Sequence, residues 1–251
     1  MLKLDNVSKT FGGLLAVNSL TFSIKKGQLT SLIGPNGSGK TTVFNMISGI
    51  FPPSSGKIYL NNMSIGGLKP HQILNLGVSR NFQELRVFKN LTVIENVMAG
   101  LHSKTKYGII GSTLRLPKER RERRLLEERA EQLLELLSVI NRKDMIIQML
   151  PYAEQRMVGL ARAVVCDPKV LLLDEPAAGL NPKEKGQLSS ALKKIQKEIC
   201  PTIFLIEHDM KFVMGISDYI GVLNFGTLIA QEIPGKIIKN EDVVKAYLGS
   251  E

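Results

Sequence analysis

The segment GPNGSGKTT, residues 34 to 42, has the residue types and spacing that bind a chain of phosphates. It lies between a predicted buried strand and a predicted helix, and it fits G-x-x-x-x-G-K-[ST] through Gly34, Gly39, Lys40 and Thr41. Glycines let the backbone curl so that the amides of residues 37 to 41 converge on a phosphate, and the dipole of the following helix strengthens that field. We expect Lys40 to reach the β and γ oxygens of a nucleotide and the Thr41 hydroxyl to ligate Mg²⁺. The predicted phosphate-binding residues are Gly34, Pro35, Asn36, Gly37, Ser38, Gly39, Lys40, Thr41 and Thr42.

Two carboxylates follow a second apolar run, VLLLDEP at 170 to 176. An open parallel sheet keeps its ligand at the carboxyl ends of its strands, and these acids stand at such an end. Asp174 can hold the Mg²⁺ shell, and Glu175 is placed to polarise an attacking water. The alternative is that both acids only cap the next loop.

Two more polar side chains follow predicted strands. His208 in FLIEHD should project at the same sheet edge as the two acids, where it would contact the γ-phosphate. Gln83 in RNFQELRVF could touch both Mg²⁺ and the lytic water. A lone histidine after a strand is more often structural, and His71 and His102 are interpreted in that way.

The elements around these residues predict an α/β fold. Alternating apolar positions near the start predict an outer antiparallel sheet (Leu2, Leu4, Leu20, Phe22 and Ile24). QLTSLIG at 28 to 34 predicts a buried strand, with a helix from about 40 to 49. Residues 69 to 137 are predicted to be mostly helical, with one apolar face formed by Leu126, Ala130, Leu133, Leu134 and Leu137.

The second half of the chain alternates helix and strand. We expect helices at 154–166, 183–199 and 209–216, strands at 169–173, 201–206 and 218–224, and two short helices after residue 233. Such alternation predicts a parallel sheet wrapped by helices. The expected architecture is a P-loop NTPase core with a mostly parallel sheet, an antiparallel β subdomain and a helical insertion at roughly 84–165, within one domain spanning 1–251.

Composition narrows the class of protein. The 251 residues are 43% hydrophobic and 22% charged, with no apolar run of membrane-spanning length, no secretory signal and two cysteines without metal-type spacing. A cytoplasmic globular protein is expected. The net charge of +10 indicates an anionic partner, and much of it lies in RLPKERRERRLLEER at 115 to 129. That stretch is either a solvated helix face or a contact with lipid headgroups or a membrane partner.

The order of these motifs resembles the ATP-binding subunits of ABC transporters, essentially end to end. FGGLLAVNSLTFSI, RNFQELRVFKNLTVIENVMAGLH, LDEPAAGLNP and IEHDMKFVMGISD resemble the ATPase subunits of branched-chain amino acid importers more narrowly. The resemblance implies ATP and Mg²⁺ as cofactors and ATP hydrolysis as the activity. It also implies that Phe11 stacks on adenine, the alternative being a buried strand-end phenylalanine. Asn181 stands where many relatives have aspartate.

One segment departs from the family pattern. The family signature Leu-Ser-Gly-Gly-Gln aligns with Leu150, Pro151, Tyr152, Ala153 and Glu154. Proline removes a hydroxyl and a backbone donor, and the alanine methyl stands where backbone should approach a phosphate oxygen. A helix beginning near Glu154, with proline in its first turn, would still direct its dipole at the phosphate. In the family the signature of one subunit covers the ATP of the other, so the resemblance leads us to expect one competent and one impaired site, unless neighbouring donors compensate.

The resemblance also implies partners and a location. We expect a second ATPase subunit in a homodimer or, preferably, a heterodimer, with transmembrane permease subunits and, indirectly, a periplasmic or extracellular solute-binding protein. The chain would then lie on the cytoplasmic face of the cell membrane. Nucleic-acid partners are not expected, because ATPases of that kind need long coiled coils, zinc cysteines or two cassettes. The alternatives are an ATPase for another solute or for lipid export, or a regulatory ATP-binding subunit.

Overall fold

A computed structural model describes residues 1–81, 87–101 and 117–248. The strands are β1 (Leu2–Phe11), β2 (Leu14–Ile24), β3 (Leu29–Ile33), β4 (Ser55–Leu60), β5 (Met63–Ser64), β6 (Val78–Asn81), β7 (Val170–Asp174), β8 (Ile203–Ile206), β9 (Tyr219–Asn224) and β10 (Thr227–Glu232). The helices are α1 (Lys40–Ile47), α2 (Pro70–Asn75), α3 (Val93–Ala99), α4 (Pro117–Leu136), α5 (Tyr152–Val164), α6 (Pro182–Glu198), α7 (Met210–Ile216), α8 (Pro234–Ile237) and α9 (Glu241–Leu248).

The larger sheet positions the site. Its order is β10-β9-β3-β8-β7-β6, and all neighbours pair in parallel except β10, which pairs antiparallel with β9. Every residue of β3, β7 and β8 is buried, as expected for parallel strands covered on both faces. The loops after β3, β7 and β8 therefore leave the sheet at one edge.

A smaller antiparallel sheet, of order β2-β1-β4-β5, covers one side of this core. The predicted apolar alternation is confirmed, because Leu2, Leu4, Leu20, Phe22 and Ile24 are all buried. An aromatic contact joins the two layers, since the ring centroid of Phe204 on β8 lies 5.5 Å from that of Phe22 and 4.8 Å from that of Phe44 on α1.

The helical part comprises α3, α4 and α5. The predicted apolar face of α4 is confirmed at Ala130, Leu133, Leu134 and Leu137, which are buried, while Leu126 is partly buried against the same cluster. The helices begin at residue 93 and end at 164, and the predicted start of the insertion at 84 lies outside the described residues. A Thr92–Glu95 capping box begins α3.

The structure differs from the sequence-based elements at the start of α5 and at β10. α5 begins at Tyr152 rather than near Glu154, and Pro151 is its N-cap rather than a residue of its first turn. β6 is the strand that was predicted to lead to Gln83, inside a range otherwise predicted to be mostly helical, whereas β10 was not predicted as an element. Among the residues that the structure describes, no helix combines the length and the apolar character needed to cross a membrane.

Candidate nucleotide-binding site

The phosphate-binding segment connects β3 to α1 through a backbone that only glycine suits at two points. Gly34 and Gly39 have φ of +151° and +100°. A Cβ would lie 2.0 Å from the Leu223 carbonyl oxygen at Gly34 and 2.4 Å from that of Ala16 at Gly39. The turn between β9 and β10 also holds the loop, because its Gly226 amide donates to the Ser38 carbonyl at 3.0 Å. The predicted curl of the backbone is therefore present.

Lys40 lies inside this loop. Its ammonium is buried and donates to the carbonyl oxygens of Gly34 at 2.9 Å and Pro35 at 2.8 Å. Burial lowers the pKa of Lys40, while the nearby carboxylates of Glu175 and Asp174 raise it. The structure thus brings the lysine and both predicted acids within electrostatic reach of one another. Thr41 next to it is exposed.

Asp174 ends β7 and is buried beside Arg80, which was not among the site residues predicted from the sequence. Its Oδ2 accepts from Arg80 Nη2 on β6 at 2.8 Å. Burial raises the pKa of Asp174, and the Arg80 charge opposes that shift. Its Oδ1 is also buried and has no hydrogen-bond partner in the described part of the chain. A carboxylate oxygen left in this state suits a hard divalent cation.

Arg80 joins three elements of the site. Besides Asp174, it donates through Nη1 to Asn45 Oδ1 at 2.7 Å and to Ser48 Oγ at 2.9 Å, both near the end of α1. Its guanidinium lies 5.7 Å from the centroid of Phe44. The sequence signal for this role was the presence of a charged residue, Arg80, in a strand predicted to lead into the site.

Glu175 and His208 face each other across the sheet edge. His208 Nδ1 lies 3.7 Å from Glu175 Oε1, and the histidine side chain is 58% exposed. Glu175 has φ of +46°, a left-handed conformation that is strained for a residue with a Cβ. Its amide donates to the Ile206 carbonyl at 2.9 Å, which ties this turn to β8.

Glu207 connects the two loops and was not among the site residues predicted from the sequence. Its buried carboxylate accepts from the amides of Ala177 at 2.7 Å and His208 at 3.1 Å. Burial raises the pKa of Glu207, and these backbone donors hold it down. Its position directly before His208 was a signal, since a buried acid at a strand end must find donors.

Replacing Glu207 with glutamine should weaken both loops. The amide nitrogen of glutamine cannot accept a hydrogen bond, so one of the two backbone donors loses its partner. We expect a loss of about 1–3 kcal/mol in the free energy of unfolding, measured by urea denaturation. Glu198→Gln, at an exposed position on α6, is the matched control and should change stability by less than about 0.5 kcal/mol. Equal stability of the two variants would contradict the role of Glu207.

Phe11 and Gln83 complete the predicted set. Phe11 is 45% exposed at the end of β1, so the alternative of a buried strand-end residue is wrong. Its ring packs edge-on against Phe51 at 5.2 Å, with the Lys9 ammonium 5.1 Å from its centroid. Gln83 lies outside the described residues. Thr42 is half-buried, and Asn36 and Gly37 are exposed at the mouth of the loop.

The altered signature forms the start of α5. Leu150 is buried, whereas Pro151 and Tyr152 are exposed. In the described chain no side-chain hydrogen bond caps this helix, so its first amides lack a side-chain acceptor at the N-cap. Asn181 instead caps α6, where it forms a capping box with Glu184.

A magnesium ion would fit this site. Among the described residues no group of three or more His, Cys, Asp or Glu could hold a metal by itself. Mg²⁺ is commonly held by one carboxylate, a few other oxygens and the phosphates of its substrate. The unpartnered Oδ1 of Asp174 and the exposed hydroxyl of Thr41 supply oxygens of that kind.

Comparison with known proteins places this site in a family. Residues 17–178 match the family described as ABC transporter. The chain belongs to the ABC transporter family. It is 43% identical over 249 residues to the high-affinity branched-chain amino acid transport ATP-binding protein LivG of Escherichia coli K12, covering 99% of this chain and 98% of LivG. BraF of Pseudomonas aeruginosa, described in the same words, is 42% identical over the same shares of the two chains.

The fold agrees with this membership. The crystal structure of the ADP conformation of an ATP-binding cassette of an ABC transporter superposes with a TM-score of 0.86 at 28% identity, covering 100% of this chain and 99% of that one. This ABC chain is therefore an ATP-binding, ATP-hydrolysing enzyme. ATP-binding subunits of ABC importers dimerise and work with membrane permease subunits.

Proposed function

We propose that this chain, as one domain spanning residues 1–251, hydrolyses ATP to power the uptake of branched-chain amino acids through membrane permease subunits. Its likeness to LivG and BraF over nearly the whole length supports the solute. The observation that carries the proposal is the meeting of Lys40, the two acids and His208 at one sheet edge, with one oxygen of Asp174 available to a cation.

Each side chain then has a chemical role. Lys40 and the amides of the loop bind the β- and γ-phosphates, and Asp174, Thr41 and Gln83 hold Mg²⁺, which would neutralise charge on the phosphate oxygens. Glu175 orients and polarises the attacking water, and His208 contacts the γ-phosphate. The left-handed backbone of Glu175 directs its carboxylate towards His208.

A cleft beside the site is the surface that we assign to the permease. It has a volume of about 660 Å³ and lies between α2 and β6 on one side and α3 and α5 on the other. Among the described residues, the large exposed apolar side chains that line it are those of Ile50, Leu74 and Phe88. Arg80 also lines it, so a permease segment seated here would lie one side chain from Asp174.

We further propose a heterodimer with a second ATPase chain, at the cytoplasmic face of the membrane, and indirect dependence on a solute-binding protein. In such a pair the partner's signature would complete the site around Lys40, while the Pro151–Ala153 segment would face the partner's ATP. The loss of a serine hydroxyl and a proline-capped helix start favour an impaired second site. The same observation favours the alternative of a regulatory ATP-binding subunit.

Solute-stimulated hydrolysis tests this function. The chain would be assembled with its permease and partner ATPase subunits in proteoliposomes and supplied with the solute-binding protein. We expect leucine, isoleucine and valine to raise the ATPase rate and to accumulate in an ATP-dependent manner. ATP hydrolysis that does not respond to these three solutes would support the ATPase activity but refute branched-chain amino acids as the transported solutes. Absence of hydrolysis in an assembly that still binds ATP would favour the regulatory alternative.

Replacing Phe11 with alanine should weaken ATP binding. Stacking of a base on an aromatic side chain contributes about 1–3 kcal/mol, so we expect the Kd for ATP to rise by about 5- to 100-fold. Phe11→Trp should keep near wild-type affinity. Phe225→Ala removes an 87% exposed ring from the turn between β9 and β10 and is the control. Equilibrium binding of a fluorescent ATP analogue measures all three, and an unchanged Kd for Phe11→Ala would exclude stacking.

A further inference from the structure

Arg156 on α5 makes a set of contacts that the roles above do not use. Its guanidinium is buried, and Nη1 donates to the backbone carbonyls of Glu175 at 3.1 Å and Pro176 at 2.8 Å. Nη2 donates to the Tyr152 hydroxyl at 2.6 Å, and the guanidinium carbon lies 4.9 Å from the centroid of that ring. One side chain therefore joins the signature segment to the turn after β7.

The turn after β7 needs such support. Glu175 is held at φ of +46°, a conformation that costs about 1–3 kcal/mol in a residue with a Cβ. The Ile206 carbonyl accepts from its amide, and Arg156 donates to its carbonyl. With both ends of the residue held, the direction of the Cα–Cβ bond is set, and so is the position of the carboxylate beside His208.

The fork of an arginine suits this task better than a lysine would. A guanidinium is planar and can donate in fixed directions to two carbonyls and a hydroxyl at once, whereas an ammonium is a point charge on a flexible stem. Charge-assisted hydrogen bonds of this kind are also about twice as strong as neutral ones. The Tyr152 hydroxyl, in turn, accepts the hydrogen bond from Nη2, and the Tyr152 ring packs against the guanidinium.

We propose that Arg156 is a positioning residue for Glu175 and that Tyr152 holds Arg156 in place. Tyr152 replaces a glycine of the family signature. It then acts on this chain's own ATP site through Arg156 and Glu175, and it also faces the ATP site of the partner subunit. This inference rests on the proposed role of Glu175 in activating water. Arg156 would then connect the start of α5, which faces the partner subunit, to the residue whose carboxylate faces the attacking water.

Turnover of the assembled transporter in proteoliposomes tests the inference. The variants of this chain are Arg156→Lys, Arg156→Met and Tyr152→Phe, with Arg124→Met, at an exposed position on α4, as the control. For Arg156→Met we expect kcat to fall about 10- to 100-fold while KM and the Kd for ATP stay within about twofold, because the phosphate loop is untouched. Arg156→Lys should recover part of the loss, and Arg124→Met should match the wild type.

Tyr152→Phe separates the second half of the proposal. It removes only the hydroxyl, so we expect a fall in kcat of about 3- to 10-fold that disappears when Arg156→Met is already present. Equal loss in both backgrounds would show that Tyr152 acts independently of Arg156. An unchanged kcat for Tyr152→Phe would remove Tyr152 from the proposal.

Two outcomes would overturn the role of Arg156. The first is a wild-type kcat for Arg156→Met in a transporter where Glu175→Gln abolishes turnover, which would leave the proposed function intact. The second is a parallel loss of kcat, ATP affinity and thermal stability in Arg156→Met and Arg156→Lys, which would mark a purely structural arginine. Wild-type turnover in Glu175→Gln would instead refute the proposed role of Glu175. If Arg156→Met does not fold, Arg156→Lys and Tyr152→Phe test the proposal in the same way. A lower kcat with an unchanged Kd for ATP would support it, and an unchanged kcat would overturn it.

Discussion

Replacing Glu175 with glutamine should lower ATP turnover by about 10²- to 10⁴-fold and leave ATP binding close to wild type. Glutamine keeps the size of the side chain but cannot take a proton from water or carry the negative charge that orients it. Lys40 and the phosphate loop are unchanged by the substitution, so affinity should survive. Phosphate release by the assembled transporter measures the rate, and equilibrium binding of an ATP analogue measures the Kd.

The control for this prediction is Glu198→Gln, an exposed acid on α6. It makes the same chemical change away from the sheet edge and should retain the wild-type rate. A Glu175→Gln rate within threefold of wild type would mean that another group activates the water.

The same substitution also tests the proposed asymmetry of the two sites. In a heterodimer, Glu175→Gln in this chain should remove most of the turnover, because that site would be covered by the partner's intact signature. The equivalent change in the partner should remove little, because the Pro151–Ala153 segment would cover that second site. Equal losses would count against one competent and one impaired site.

Replacing Arg80 with methionine should destabilise the protein by about 3–5 kcal/mol. The substitution would leave the Asp174 carboxylate buried without the guanidinium that now lies 2.8 Å away. It also removes the guanidinium that donates to Asn45 Oδ1 and to Ser48 Oγ near the end of α1. Urea denaturation without nucleotide or Mg²⁺ measures the loss, so the result does not depend on activity.

A second substitution identifies the cause of that loss. Asp174→Asn in the Arg80→Met background removes the uncompensated charge and should restore a substantial part of the stability. Arg124→Met, an exposed arginine on α4, should cost less than about 0.5 kcal/mol. If the double variant is no more stable than Arg80→Met, then the buried charge of Asp174 does not explain the loss.

The local parts of the site could be predicted from the sequence because their signals are local. The motif at residues 34 to 42 has glycine at two positions where a Cβ would clash with neighbouring backbone. Both clashes are found in the structure, at Gly34 and Gly39. The apolar runs before Asp174 and His208 predicted two buried strands, and parallel neighbours bring the ends of such strands to one edge. The fold class follows from the same alternation of elements.

The supporting residues could not be predicted in this way, because their partners are remote in the sequence. Arg80 and Asp174 are 94 residues apart, and Glu207 and Ala177 are 30 apart. No spacing rule relates such positions before the order of strands is known. The start of α5 was misplaced for a different reason, since a proline can stand as the N-cap just as well as in the first turn. β10 has a half-buried pattern typical of an edge strand, which gives a weak apolar signal.

The central place of β3 has a consequence for how the protein is made. This strand precedes the phosphate loop, yet its hydrogen-bonding neighbours are β8 and β9, so that Leu29 pairs with Ile203 and Thr30 with Tyr219. On the ribosome both edges of β3 remain unpaired until β8 and β9 have emerged, and contacts of such long range in the sequence form slowly. A nascent chain arrested before residue 203 would carry the entire phosphate-binding motif and still lack the sheet that gives it shape.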